Sequence, residues 1–72
     1  MHVGIQEALR QLQQAIHDAR VSFDCIALED LERAHIHAIT ARTALDAAEN
    51  AIRTALDEQQ RPEASTDDSS PS

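Results

Sequence analysis

The groups in this 72-residue chain that could do acid–base, metal or thiol chemistry are four histidines, thirteen acidic residues and one cysteine. His35 and His37 are two residues apart, which on a helix turns them about 200° from each other, so they cannot share a metal or act as an acid–base pair. Glu32-Arg33-Ala34-His35 has the Glu-x-x-His spacing used in di-iron helical bundles, but those ligands must face inward. With Leu31 and Ala34 at core positions, Glu32 falls outside the core and His35 at its edge. No glutamate of the first helix matches them. Cys25 has Asp24 beside it rather than a cation that would favour thiolate, so it reads as an inert thiol. A single glycine, Gly4, builds no phosphate cradle, and no Ser, His and Asp arrangement is present. These spacings predict no catalytic centre, no metal site and no cofactor; His2 and His17 read as surface residues.

The arginines fall into helical ion pairs. Glu29 with Arg33, Glu49 with Arg53 and Asp57 with Arg61 are acid-first pairs at i and i+4, while Arg20 with Asp24 and Arg42 with Asp46 run the other way. Such pairs describe solvated helix faces, each worth a few tenths of a kcal/mol, rather than an anion-binding groove.

The elements that would carry these residues are helices. Residues 5–61 contain neither glycine nor proline and are dominated by residues that helices favour or tolerate. Ile5, Leu9, Leu12, Ile16, Ala19, Phe23 and Ile26 recur at alternating intervals of four and three, a heptad seam with Ala8 and Ala15 widening one flank. A second seam runs through Leu31, Ala34, Ala38, Ala41, Leu45, Ala48, Ile52 and Ala55. The predicted helices span about residues 4–27 and 31–60. The seams are out of phase, since extending the first beyond Ile26 would place Asp30 and Arg33 in the core. This predicts a turn between Ser22 and Asp30, with Asp30 capping the second helix and Glu29 and Glu32 near its positive end. The stretch Val21–Cys25 is a competing turn site. The alternative is a stutter through Ala19, Phe23, Ala27 and Leu31 inside one long helix of a coiled coil.

The expected fold is therefore all-α: one domain over residues 1–60, a two-helix antiparallel hairpin that dimerises into a four-helix bundle. Residues 61–72 have no large apolar side chain and are expected to form a disordered acidic tail. Self-association is expected because two helices cannot cover each other's apolar stripes, and a lone hairpin of this size is marginal once conformational entropy is counted. The single cysteine supplies no internal disulfide.

A formal charge of −7, six arginines, no lysine and a single aromatic residue, Phe23, argue against direct nucleic-acid binding, which needs clustered cations and stacking platforms. There is no signal-like N-terminal segment and no apolar run long enough for a membrane span, so no membrane association and a cytoplasmic location are expected. Thirteen alanines and arginine without lysine fit a GC-rich bacterial or phage genome.

Apolar residues left outside both seams are Val21, Cys25 and Leu28 on the first helix and Ile36 and Ile39 on the second, all near the turn. With His35 and His37 at its rim, this set is the candidate partner-binding patch, facing either a second copy or a larger protein. The leading functional reading is a non-enzymatic interaction module that acts as an adaptor, inhibitor or regulator of a larger protein. The alternative is an acidic nucleic-acid mimic, in which Asp18, Asp24, Glu29, Glu32, Asp46, Glu49 and Asp57 imitate a phosphate backbone. Steep weakening of binding with salt would favour the mimic.

Overall fold

The computed structural model describes residues 3–60, which form α1 (Val3–Ala27) and α2 (Leu31–Gln60). The two helices pack against each other along their lengths. They are antiparallel: Ser22 near the end of α1 donates from its hydroxyl to the Ala34 carbonyl at 2.7 Å. At the far end, a Cβ added to Gly4 would lie 3.4 Å from the Ala55 Cβ. The reversal at Leu28–Asp30 rules out the continuous-helix alternative. The tail expected over residues 61–72, His2, and the pairing of Asp57 with Arg61 lie outside the described residues.

The turn closes without glycine. Asp30 N–H donates to the Cys25 carbonyl at 2.8 Å and Glu29 N–H to the Ile26 carbonyl at 2.9 Å, the paired hydrogen bonds of a Schellman C-cap. That motif needs a left-handed residue at its centre, and Glu29 supplies it with φ 62°. Asp30 then starts α2. Its carbonyl accepts from Ala34 N–H at 3.0 Å, and its Oδ1 accepts from Arg33 N–H at 3.2 Å. The expected N-cap role of Asp30 is present, and the turn lies at the end of the stretch where the two seams lose phase.

The first helix meets its partner through a different row from the one expected. Its buried residues are Ala8, Ala15, Asp18 and Cys25, with Gly4, Gln11 and Ser22 half-buried or partly covered between them. This row keeps the same alternating intervals as the large-residue seam but is one residue out of step with it. On α2 the facing residues are Ala34, Ala41, Ala44 and Ala48, joined by half-buried His37, Ala51 and Ala55. Ala48 is the most enclosed, at 1% exposed. Short side chains let the helix axes approach closely, and the large side chains of α1, which would hold the axes apart, are turned aside. The expectation that Ile5, Leu9, Ile16, Phe23 and Ile26 form the seam between the helices is thus corrected. Cys25, expected off the seam, is buried inside it.

Candidate interaction face

Large apolar side chains were expected to hold this hairpin together, and most of them lie on its surface. Among the described residues, no large side chain is fully buried, whereas Ile5, Leu9, Ile16, Phe23, Ile26, Leu31, Leu45, Ile52 and Leu56 are between 45% and 73% exposed. On α1 these residues lie about 100° around the axis from the alanine row, and on α2 most lie a similar angle from theirs. Because the helices run in opposite directions, the same angular offset carries both rows to one side of the hairpin. An open groove of about 570 Å³ demonstrates this at the end away from the turn, where Ile5, Leu9 and Leu12 of α1 meet Ile52 and Leu56 of α2. The opposite side carries Glu7, Gln14, Arg33, Thr40 and Thr54. The hairpin has one greasy face and one polar face.

A polar cluster sits in the middle of the alanine seam. Asp18 is 3% exposed, and its two carboxylate oxygens are both used. Gln14 Nε2 donates to Oδ2 at 2.8 Å, and His37 Nδ1 lies 3.0 Å from Oδ1 across the interface. An ionised carboxylate only accepts, so Nδ1 of His37 carries the proton and donates it. The Gln14 hydrogen bond, followed by that of His37, holds the Asp18 carboxyl below the usual aspartate range, against the opposing effect of burial. Near the N-terminus, Glu7 is also lowered, first by Gln11 and then by Arg10. Buried polar pairs of this kind fix register, because sliding of one helix along the other leaves Oδ1 of a desolvated carboxylate without its donor. Asp18 was expected in an exposed acidic row and His37 at the rim of the apolar patch; both instead hold the helices together. The available signal was the row of small and polar residues Gly4, Ala8, Gln11, Ala15, Asp18, Ser22 and Cys25, which repeats at heptad intervals beside the more conspicuous large-residue row.

The candidate partner-binding residues do not share one surface. Cys25 is enclosed between the helices and Val21 is half-buried beside the polar side. Leu28 stands in the turn at 78% exposed. His35, Ile36 and Ile39 are exposed on α2, and Ile39 is two residues from both His37 and Ala41, which places it on the side of α2 directed away from α1. Of the i, i+4 ion pairs expected within the described residues, Glu49 with Arg53 forms, at 3.3 Å and well exposed. Arg10 pairs instead with Glu7, and Arg53 also reaches Asn50. Arg42 has no carboxylate within ion-pair distance among the described residues.

No protein-family model, curated protein or solved structure matches this chain. Among the described residues, no helix is long and apolar enough to cross a membrane, and no three His, Cys, Asp or Glu side chains converge as metal ligands. The shared apolar face, with its exposed isoleucines and leucines, is the feature with the strongest physical claim to a role.

Proposed function

We propose that this protein is a non-enzymatic helical interaction module whose apolar face drives self-association into a four-helix bundle, and which serves as an adaptor, inhibitor or regulator of a larger protein. The observation that carries the reading is the segregation of side chains. The contact between α1 and α2 uses alanine, glycine, serine, cysteine and one largely buried polar pair, while most of the isoleucines and leucines, with Phe23, project from one side. Alanine burial contributes little, so the hairpin alone is poorly stabilised relative to the entropy of ordering its residues. About half of each large side chain on the face remains accessible, on the order of 800 Å² per chain, which exceeds the largest apolar patch of an ordinary monomer and equals one partner's share of a standard interface.

Sedimentation equilibrium of the full chain at 10–100 micromolar, on the order of common dimer affinities, tests the reading. A dimer is expected. Ile16→Asp, at the centre of the α1 row, is expected to shift the protein to monomer with reduced helicity. Ile36→Asp with Ile39→Asp, on the outer surface of α2, is expected to leave self-association intact. A well-folded monomer of the unaltered chain at these concentrations sinks the proposal. The acidic-mimic alternative loses one acid of its row, since Asp18 is enclosed.

A further inference from the structure

We infer that the second copy of this chain packs on the apolar face upside down, with α1 against the partner's α1, α2 against the partner's α2, and the two turns at opposite ends of the bundle. The inference rests on the self-association proposed above and adds its geometry. Two arrangements bring two hairpins together with every neighbouring pair of helices antiparallel. In one, the turns lie at the same end and α1 packs on the partner's α2. In the other, the turns lie at opposite ends and like helices meet about a two-fold axis.

The rim of the face decides between them. Along α1 the rim residues are Leu9, Ile16 and Phe23, seven apart and all apolar. Along α2 the rim residues at the same interval are His35, Arg42, Glu49 and Leu56. The contacts of Gly4 with Ala55, Asp18 with His37 and Ser22 with Ala34 set the levels of the two helices, and place Arg42 near the level of Ile16 and Glu49 near that of Leu9. With the turns at the same end, Arg42 and Glu49 would press on the partner's Ile16 and Leu9, desolvating Arg42 without a partner and Glu49 with only its exposed pair to Arg53. With the turns at opposite ends, Leu9 and Ile16 of α1 can meet the partner's Ile16 and Leu9, Arg42 of α2 can meet the partner's Glu49, and Leu56 lies against the partner's His35.

The axis has one good position. The same contacts set Leu12 and Gln13 of α1 level with about Ala44 and Leu45 of α2, within about one residue of the midpoint between Arg42 and Glu49. A two-fold axis at that level sets Leu9 against the partner's Ile16 on the α1 side. On the α2 side it sets Arg42 against the partner's Glu49, and by symmetry Glu49 against the partner's Arg42. Moving the axis by half a heptad sets either Arg42 or Glu49 against its own copy, a like-charge contact. Arg42 has no ion-pair partner within its own hairpin among the described residues. Among the described residues, Glu49 has only the exposed 3.3 Å pair with Arg53. The charges at this rim are complementary to a second copy of themselves in one orientation.

The test is a mixing experiment on the full chain at fixed salt, read by sedimentation. Arg42→Glu alone and Glu49→Arg alone each create two like-charge contacts, and each is expected to weaken self-association about tenfold. An equimolar mixture of the two variants restores both opposite-charge contacts and is expected to associate about as tightly as the unaltered chain. A control mixture of Arg33→Glu with Glu7→Arg, on the polar side, has the same net charges and is expected to show no preference for mixed dimers. A second measurement reads the geometry directly. A spin label at Glu32→Cys, in a Cys25→Ser background shown to be helical, is expected to give a label separation of about 40 Å, because residue 32 lies about 20 Å from the axis along α2. Dimers with a separation below about 25 Å, or no preference for mixed over single-variant dimers, overturn this arrangement while leaving self-association standing. A monomeric unaltered chain overturns self-association itself.

Discussion

Asp18 of α1 and His37 of α2 lie 3.0 Å apart across a seam otherwise built of alanine and other small residues, and they form the one hydrogen bond between side chains of the two helices among the described residues. A seam of near-identical alanines has several registers of similar energy. The buried carboxylate needs a donor from the other helix, and His37 supplies it at a single level. The pair therefore specifies alignment in a way that alanine packing does not.

The pair makes stability depend on acid. Asp18 is held below the usual aspartate pKa in the folded hairpin, so its contribution is complete above the unfolded value of about 4 and is lost as pH falls through the lower folded value. Glu7 is lowered in the same sense. Chemical denaturation from pH 6 to pH 2 is expected to show stability declining below about pH 5, and Asp18→Asn is expected to flatten that decline. An Asp18→Asn profile as steep as that of the unaltered chain would contradict the assignment.

The left-handed residue of the turn is a glutamate. Glu29→Gly removes the clash between Cβ and backbone at φ 62°, and is expected to stabilise the fold by about 1 kcal/mol. Urea midpoints compared at one protein concentration measure the change, since the proposed self-association would make stability depend on concentration. No gain, or a loss, would show that the Glu29 side chain contributes something the backbone geometry does not reveal.

Asp30 closes α1 with its N–H and opens α2 with its side chain and carbonyl. Asp30→Ala keeps the backbone bonds but removes the acceptor for Arg33 N–H, at an expected cost of about 1 kcal/mol. Asp30→Asn or Asp30→Ser should recover most of it. An equal loss for all three variants would mean that the side chain acts otherwise than as a cap.

Close approach of the helices makes the alanine seam intolerant of bulk. Ala48→Leu, at the most enclosed position, is expected to destabilise by about 1–3 kcal/mol, although it adds apolar surface. The same change at exposed Ala38 is expected to be tolerated, because that position lies among the large residues of the open face. Thermal melts of the two variants make the comparison, and equal tolerance would show that the seam is not tightly packed.

Much of the architecture is legible in the residues alone. An unbroken stretch rich in helix formers dictates helices, the loss of phase near Asp30 dictates a turn, and Asp30 itself marks where the second helix starts. These are local properties of backbone propensity and capping, written within a few residues of where they act. Which row of α1 would face α2 was not local. Two rows with the same heptad intervals run side by side, and hydrophobicity favours the large residues of one while close packing favours the small residues of the other. Only the pairing of the two helices decided it, because alanines on α2 can be approached closely only by an equally narrow surface. That choice enclosed Cys25, brought Asp18 to His37, and left most of the isoleucines and leucines of both helices together on one open side.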